Sequence, residues 1–537
     1  MAKLTSSAHV ILFADNRLRV KHILERPQWK VREKHMALWN YFLARETEAG
    51  SYFLVTEPDE ELYIVLGLSG ETIRLPPYGR GGLSFFAYLH QRYGLSERED
   101  ATKFLYATLR LYVFQQGDHV ELRRFSVYNL KTQAAYLSSY DGGSWRMSGD
   151  TPPERIGNGE DGVFFADDDG GQPCTPDVGN HGVLIPALTS INFAETSPGG
   201  MTPTHQQRAL IVWLFMLAFP DLMPTKPLLI VEGAPGSGKS SCTQIIQLAL
   251  MGMKRPIILQ KNKEDDFGII LLRSPICVLD NLDSYLEWLP DAVCAYATSA
   301  QWTRRKLYSD NEEVTIRPHA FIAVASKNPA SFRREDTADR CIVLRLERLK
   351  AFTKQQKRET QILQQRDKLF GEYLWYINEI VKVLRTGVFD EDVMEVNRMA
   401  DFASMARVVG RVLAWPEEEI EDFLRSLQSE RDAFINEGDS LVEILHKWIA
   451  YRPKEGPSNV GRELPLNGLF AELETIAQAY SLPFYKTPQM LQQKLRSPHL
   501  EGEFVVQVLH VDKHQSFKIW RRTDARLSTV PAKPAKR

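Results

Sequence analysis

Residues 233–240 spell the octapeptide G-A-P-G-S-G-K-S, which fits the phosphate-loop (P-loop) pattern G-x-x-x-x-G-K-[ST] at every position. The apolar stretch 228–231 predicts a strand before the loop, and a helix is predicted from about Ser241 onward. In this setting the glycines let successive backbone N–H groups turn toward phosphate oxygens, and the helix N-terminus adds its positive dipole end. The predicted phosphate-binding residues are Gly233, Ala234, Pro235, Gly236, Ser237, Gly238, Lys239, Ser240 and Ser241.

A carboxylate about forty residues downstream completes a predicted site for ATP and Mg²⁺. Lys239 is expected to reach the β- and γ-phosphates, and the Ser240 hydroxyl to bind the metal. The apolar strand 276–280 ends in Asp280, which is expected to hold Mg²⁺ mostly through water. We predict that this strand lies directly beside the P-loop strand. Asn281 stands where many ATPases have a catalytic glutamate and Asp283 follows two residues later, so the group that polarises the attacking water stays open.

Two further strands end or begin at polar residues that suit a catalytic role. The strand 321–326 is followed by Asn328, which either orients water beside a γ-phosphate or simply forms an Asn-Pro turn. Arg340 directly precedes the strand 341–346. This arginine either pairs with a nearby acid, Asp336 or Asp339, or completes the site of a neighbouring subunit in a ring.

A cationic segment lies between the second and third of these strands. The sequence from 298 to 316 predicts a hairpin whose tip carries Arg304, Arg305 and Lys306, with Trp302 and Tyr308 on either side. Cations for phosphates and aromatic rings for bases are typical of a groove for single-stranded nucleic acid. The alternative is a charge cluster that is merely solvated.

These motifs together resemble the ATPase domain of superfamily 3 helicases, in particular the poxvirus- and phage-type primase–helicases and their bacterial relatives. The similarity is strong over residues 206–350. It implies an AAA+ core that assembles into hexameric rings on single-stranded DNA. It also implies a phosphate-loop role for Lys239 and Ser240, Mg²⁺ binding by Asp280, DNA contact by residues 304–306, a sensor role for Asn328 and a trans-acting role for Arg340.

Two features depart from that family. Asn281 does not fit its acidic catalytic pair, and residues 1–195 show neither a zinc-binding cysteine set nor a primase metal signature, so priming is not supported. The acidic run 167–169 is either a metal site or a solvated loop. Among the twelve histidines no metal-ligand spacing appears.

Five units are expected along the chain. Residues 1–195 are predicted to form an α+β domain of unknown role, with helices at 83–93 and 101–114 and strands at 120–128 and 134–140. The α/β AAA+ core spans 196–350 and a helical segment 351–437. Residues 438–525 read helix-helix-helix-hairpin, the order of a winged helix, which contacts DNA through Lys494, Arg496 and Lys513 or serves as a protein docking module. A basic, flexible tail covers 526–537.

Composition restricts the partners. With 43% hydrophobic and 25% charged residues the chain is typical of globular proteins, and a formal net charge of −2 restricts any nucleic-acid surface to a local patch. Five scattered cysteines form no C-x-x-C pair, and the start of the chain lacks a signal-peptide pattern. The longest apolar run, 209–219, is about half of what a bilayer needs. We therefore expect a cytoplasmic protein without a membrane partner.

The expected function is that of a helicase or translocase, in which a homo-oligomeric, hexameric ring couples Mg²⁺-ATP hydrolysis to movement on single-stranded or forked DNA. The expected setting is replication of phage, plasmid or mobile-element DNA, or defence. The alternative is an ATP-driven DNA-binding switch or adaptor that never unwinds, which the missing glutamate after Asp280 favours. A P-loop small-molecule kinase would leave the hairpin, Asn328 and Arg340 without a role.

Overall fold

The computed structural model describes residues 6–57, 59–79, 81–166, 171–179, 181–259, 264–297, 302–305, 313–316, 319–350, 354–387, 389, 399–450, 459–480, 482, 484–496, 500, 503–511 and 514–522. The acidic run 167–169, Lys306, Tyr308, Lys513 and the tail 526–537 lie outside these residues. No helix in the described part of the chain has both the length and the apolar character that crossing a bilayer requires.

The N-terminal part contains helices around two small sheets. The first sheet has the order β3-β2-β1-β4, and the second is the antiparallel meander β5-β6-β7-β8. The predicted helices at 83–93 and 101–114 are confirmed. The elements are α1 (Ser6–Leu24), α2 (Val31–Glu48), β1 (Tyr52–Thr56), β2 (Leu62–Val65), β3 (Thr72–Arg74), α3 (Leu83–Tyr93), α4 (Asp100–Gln116), β4 (Asp118–Val120), β5 (Ser126–Asn129), β6 (Ala134–Ser138), β7 (Gly143–Met147), β8 (Glu154–Gly157) and α5 (Leu184–Thr189).

The prediction of one strand over 120–128 was wrong. Its two ends belong to different sheets, since β4 pairs with β1 and β5 pairs with β6. Arg123, between them, forms a bridge to Phe165 instead. The apolar and β-branched residues of this stretch indicate extended backbone, but they do not reveal that the chain changes sheets within it.

The central unit is a five-stranded sheet in which every neighbouring pair is parallel. Its strand order is β10-β11-β14-β9-β15, and an antiparallel pair, β12 and β13, is inserted before β14. The elements are α6 (Pro203–Met216), β9 (Leu228–Gly233), α7 (Lys239–Met251), β10 (Pro256–Ile257), α8 (Glu264–Arg273), β11 (Ile276–Asp280), α9 (Leu289–Ala297), β12 (Trp302–Arg305), β13 (Glu313–Ile316), β14 (Phe321–Ser326), α10 (Glu335–Ala338) and β15 (Cys341–Leu346).

This order corrects one prediction. The strand that ends in Asp280, β11, does not lie beside the P-loop strand β9, because β14 is placed between them and pairs with both. β14 is buried along its whole length and β9 and β11 along all but their carboxyl ends, so hydrophobicity alone cannot rank them as neighbours. Helical crossovers allow any spatial order of parallel strands, and the sequence order therefore does not fix it.

Helices cover both faces of this sheet, as a parallel sheet requires. Alternate strand residues such as Val231, Val278 and Leu344 pack with α6 and α7 on one face. Their neighbours, such as Ile230 and Leu279, pack with α8 and α9 on the other. The apolar run 209–219 lies in α6 and the turn after it, and it is fully buried in the first of these layers.

The rest of the chain is a set of packed helices followed by a helical unit with a hairpin. Helices α12 and α13 join the core layer that contains α6 and α7. The order of three helices and a hairpin after residue 438 is as predicted, and its identification as a winged helix stays a prediction. The elements are α11 (Gln355–Gln364), α12 (Arg366–Leu384), α13 (Ala400–Val412), α14 (Glu417–Gly438), α15 (Ser440–Ala450), β16 (Leu464–Pro465), α16 (Leu466–Ala479), α17 (Pro488–Lys494), β17 (Phe504–Val511) and β18 (His514–Arg521).

Candidate functional site

The P-loop has the strand–loop–helix setting that the sequence predicts. β9 ends at Gly233 and α7 begins at Lys239, two residues earlier than expected. Gly236 and Gly238 adopt φ angles of 80° and 89°, which side chains with a Cβ disfavour. Gly233 is required for a different reason, since a Cβ there would come within 2.7 Å of the Leu346 carbonyl oxygen.

Hydrogen bonds from the segment after β15 and from within the P-loop itself hold the shape of the loop. The backbone N–H of Leu349, in the segment after β15, donates to the Gly236 carbonyl at 3.1 Å. The Lys239 ammonium donates to the Ala234 carbonyl at 3.4 Å, so it lies back over its own loop. The hydroxyl of Ser237 is buried and has no hydrogen-bond partner among the described residues. The loop is thus preformed around a polar interior.

Asp280 lies directly beside the first turn of α7. The Ser240 hydroxyl donates to its Oδ1 at 2.8 Å, and the backbone N–H of Asn281 donates to the same oxygen at 3.0 Å. The Gln244 amide donates to Oδ2 at 3.3 Å. The structure therefore brings Ser240 and Asp280 together as predicted. Gln244 was not predicted, although its position one turn after Ser240 places it on the same helix face.

The donors at this point fit Mg²⁺. A hydroxyl and a carboxylate are hard oxygen ligands, and Mg²⁺ in nucleotide sites takes one or two protein ligands and completes its shell with phosphates and waters. The described residues contain no group of three or more His, Cys, Asp or Glu side chains that could hold a metal by themselves. Ser240 and Asp280 would hold the ion only together with a nucleotide.

Asp283 is bonded to the segment that carries Asn328. Its Oδ1 accepts from the Ser326 hydroxyl at 2.8 Å and from the backbone N–H groups of Lys327 and Asn328 at 2.7 and 3.4 Å. Burial alone would raise the pKa of the Asp283 carboxyl. These three donors and the charge of Lys239 outweigh that effect, so the pKa lies below its usual value. Asn281 between the two aspartates has a positive φ of 56°.

A buried ion cluster, formed by Glu232, Arg333, Arg345 and Glu430, supports the end of the P-loop strand. Arg345 donates to Glu232 at 2.6 Å and to Glu430 of α14 at 2.7 Å, and Arg333 donates to Glu232 at 2.8 Å. Burial raises the pKa of Glu232, an effect that the two arginines partly offset. The cluster cannot be predicted from the sequence, because nothing in the local pattern connects α14 with β9.

Arg340 lies at the opposite end of the sheet. Its carbonyl accepts from the backbone N–H of Leu228, the first residue of β9, at 2.9 Å, whereas the P-loop follows the last residue. Along a strand of this length the two are about 15–20 Å apart. The Arg340 guanidinium donates to the Asp336 carbonyl oxygen, and the Asp336 carboxylate is bound by Arg334 instead. The structure therefore does not bring Arg340 to the P-loop of its own chain.

The predicted hairpin exists, but its cations are placed differently. Arg304 and Arg305 lie within β12, opposite Val314 and Glu313 of β13, and not at the tip. The strand already begins at Trp302, because the apolar and β-branched residues before the cations favour extended pairing. The hairpin leaves the core after Ala297, whose carbonyl accepts from the Lys226 N–H at 3.1 Å, so its base lies at the amino end of the sheet with Arg340.

Two C-terminal cations proposed for DNA contact have protein partners. Lys494, in the last turn of α17, forms an ion pair with Asp439 at 3.3 Å. Arg496 donates to the Gln515 side chain at 3.0 Å. DNA contact by this unit stays a prediction.

Comparisons with known proteins find one family and several solved structures that are similar to this chain. Residues 199–413, fewer than half of the chain, match the family described as the actinomycete integrative conjugative element replication protein. No curated protein matches the chain. Among solved structures, the chain is similar to the active helicase Cch of SCCmec type IV, at 11% identity and a TM-score of 0.45 over 89% of this chain and 93% of that one.

Two further solved structures are more distant. The apo C-terminal region of NrS-1 is 13% identical with a TM-score of 0.36, over 90% of this chain and 98% of that one. JCV helicase is 11% identical with a TM-score of 0.21, over 43% of this chain and 67% of that one.

Proposed function

We propose that this chain is a Mg²⁺-ATP-dependent DNA helicase or translocase that works as a ring in the replication of a mobile genetic element. The observation that carries the proposal is the 2.8 Å hydrogen bond between Ser240 of the P-loop and Asp280 at the end of β11, the strand on the far side of β14 from the P-loop strand. This hydroxyl and carboxylate lie where a P-loop ATPase binds its metal. The match of residues 199–413 to a replication-protein family supports the biological setting.

The P-loop residues would bind and orient the nucleotide. The backbone N–H groups of the loop surround the phosphates, and Lys239 turns from the Ala234 carbonyl toward the β- and γ-phosphates. Ser240 and Asp280 would hold Mg²⁺, which when bound would neutralise negative charge on the phosphates. Asn328 at the end of β14 would orient the attacking water. Because β14 lies between β9 and β11, this residue follows the strand in the centre of the site.

The position of Arg340 favours a ring. It is a full strand length from its own P-loop, so it can stabilise the transferred phosphoryl group only in the site of a neighbouring subunit. A head-to-tail interface that repeats this contact closes into a ring. We further propose that the core is of the AAA+ type and that the hairpin cations face DNA in the ring channel.

A second function is favoured by Asn281. It occupies the position of the usual catalytic glutamate, and a switch that binds ATP without rapid hydrolysis needs no base there. In that case ATP binding would control attachment to DNA or to a partner, and no strand would be displaced.

Strand displacement from a forked DNA substrate separates the two functions. A helicase separates the strands with ATP and Mg²⁺, and the Lys239→Ala variant serves as the matched inactive control. Nucleotide-dependent DNA binding without strand separation or translocation would support the switch and contradict the helicase proposal. ATP turnover that is equal in the wild type and in Lys239→Ala would contradict the assignment of the site itself.

A further inference from the structure

We propose that Asp283 is a positioning residue that holds Asn328 in place, and that it does not accept the proton of the attacking water. The inference rests on the proposed ATPase function, which it deepens by assigning a role to the second aspartate after β11.

The sheet order makes this role possible. β11 and β14 are neighbours with Asp280 opposite Ala325, so the turn after β11 runs beside the turn after β14. The Asn281 N–H continues the pairing by donating to the Ala325 carbonyl at 3.0 Å. Asp283 therefore meets the segment 326–328 as a consequence of strand pairing.

One carboxylate oxygen binds three donors of that segment. Ser326 is fully buried, and its hydroxyl lies 2.8 Å from Asp283 Oδ1 and 2.9 Å from the Leu282 carbonyl. The N–H groups of Lys327 and Asn328 point at the same Oδ1. The Ser326 hydroxyl and the Lys327 N–H are thus fixed by one side chain. The Asn328 N–H lies 3.4 Å from the same carboxylate oxygen and also donates to the Ser326 hydroxyl oxygen at 3.0 Å, so Asp283 holds it both directly and through Ser326. Asn328 itself is exposed at the edge of the sheet.

The same bonds make Asp283 a poor base. They stabilise the charged carboxylate, and Lys239 adds a positive charge nearby, so the pKa of Asp283 lies below its ordinary value. An efficient general base has a pKa near the working pH. A carboxylate that is already bonded to three donors is suited to hold geometry and unsuited to take up a proton.

The substitution Asp283→Asn separates the two roles. The amide oxygen of asparagine can still accept the three hydrogen bonds, but it cannot take up a proton at neutral pH. Positioning predicts that Asp283→Asn keeps ATP turnover within about tenfold of the wild type, because neutral hydrogen bonds replace charge-assisted ones. Asp283→Ala should lose about a hundredfold or more, the effect of releasing one oriented polar group in an active site.

If Asp283 is instead the general base, a different result is expected. Asp283→Asn would then be as inactive as Asp283→Ala, and the acid limb of the pH–rate profile would disappear in the residual activity of both variants. That outcome would overturn the inference. Positioning predicts an unchanged acid limb in Asp283→Asn.

A double-mutant cycle with Asn328→Ala tests the partner. If Asp283 acts through Asn328, the Asp283→Ala change should have almost no effect in the Asn328→Ala background. Fully additive losses would contradict the inference. The Kd of a fluorescent ATP analogue and the thermal unfolding temperature should stay near those of the wild type in all variants, which excludes general misfolding.

A measurement that does not depend on ATP hydrolysis tests this inference separately from the proposed function. Hydrogen exchange of a peptide covering 326–330 should be faster in Asp283→Ala and nearly unchanged in Asp283→Asn. A wild type that lacks ATPase activity would contradict the proposed function, yet the exchange pattern would still test the positioning role. Equal exchange in Asp283→Ala and the wild type would refute it.

Discussion

The residues at the two ends of the central sheet have different roles. At the carboxyl end, the turns after β9, β11 and β14 bring polar side chains within hydrogen-bond distance of one another, as in the contact between Ser240 and Asp280. At the amino end, Arg340 and the base of the hairpin lie a strand length away from that site. Residues at the carboxyl end can act together within one chain, whereas those at the amino end can act only on another molecule or on stability.

The backbone shows the same difference. The carboxyl end contains positive φ angles at Gly236, Gly238 and Asn281, and unusual backbone conformations of this kind cluster at functional sites. The amino end instead buries a charged side chain, since Lys226 is only 4% exposed. The polar groups of the carboxyl end are thus arranged around the P-loop, whereas those of the amino end are packed into the protein.

The largest effect is expected at the carboxyl end. Lys239→Ala removes the cation that stabilises charge on the β- and γ-phosphates, and ATP turnover should fall by about a thousandfold. The fold should persist because Lys239 is only half-buried and its ammonium is bonded to the Ala234 carbonyl of the same loop. Lys254→Ala, which removes a half-buried lysine paired with Glu359, is the matched control and should keep full turnover. Steady-state ATPase rates measure the difference. Normal turnover by Lys239→Ala would show that the carboxyl end of the sheet does not contain the ATP site.

Arg340→Ala tests whether the amino end acts on another subunit. ATP binding should be nearly intact, but turnover should fall by about a thousandfold, as when an arginine finger is lost. Arg334→Ala is the control from the same segment, because Arg334 pairs with Asp336 and Asp291 within its own chain. Its turnover should stay close to that of the wild type.

Mixing the two defective chains makes this test sharper. An interface between a Lys239→Ala subunit and an Arg340→Ala subunit can contain one intact P-loop and one intact arginine. Mixed oligomers should therefore regain part of the ATPase activity that neither variant has alone. If mixed oligomers, confirmed by mass, recover no activity, Arg340 either acts within its own chain or has only a structural role.

A smaller effect is expected for the hairpin. Replacing Arg304, Arg305 and Lys306 together by alanine removes up to three phosphate contacts, so the slope of log K against log salt for single-stranded DNA should fall by about 0.7 per lost contact. Basal ATPase activity should persist because the hairpin base lies at the amino end. DNA stimulation of the ATPase should disappear. The comparison belongs in a chain that ends after Asp524, where the basic tail cannot mask the change.

An unchanged salt slope and unchanged DNA stimulation would make the cationic segment a solvated surface. The translocase proposal would then lose the DNA contact on which it depends. The assignment of the ATP site at the other end of the sheet would be unaffected.

The elements of the central unit could be predicted closely, and their arrangement could not. β11, β14 and β15 have the predicted bounds, because each is a continuous apolar run limited by polar or turn residues. Ser240 and Asp280 could be paired in advance, since a P-loop needs a metal ligand at a strand end. The position of β14 between them was not predictable, because helical crossovers leave the order of buried parallel strands open.

The missed residues share a physical cause. Glu232 and Arg345 meet because β9 and β15 are adjacent in register, and Glu430 reaches them from a helix 85 residues later. Asp283 binds the Ser326 segment only because β11 and β14 are neighbours. These contacts depend on tertiary structure, whereas sequence patterns record local periodicity and motif spacing.

The smallest effect concerns Lys226, which lies before β9 as Lys239 lies after it. Burial lowers the pKa of Lys226 to about 8, an effect that nearby Asp221 partly offsets. The unfolded chain keeps the usual lysine pKa near 10.4, so above pH 8 it binds more protons than the folded chain. The free energy of unfolding should therefore gain from this lysine as the pH rises from about 8 to 10, and the gain should be absent below pH 8.

Lys226→Met removes that dependence. Between pH 7 and pH 9.5 the wild type should gain about 2 kcal/mol of stability relative to the variant, since each full pH unit contributes about 1.4 kcal/mol. Hydrogen exchange of a peptide covering 227–233 measures the opening of β9 directly, and comparing both proteins at each pH cancels the intrinsic exchange rate. Lys254→Met, at a half-buried lysine that is paired with Glu359, is the control. ATP turnover at pH 7 should be equal in Lys226→Met and the wild type, because this lysine lies at the amino end.

A parallel pH dependence of stability in both proteins would show that the ammonium of Lys226 is not held in a buried environment. A loss of ATP turnover in Lys226→Met would show that the two ends of β9 are not independent.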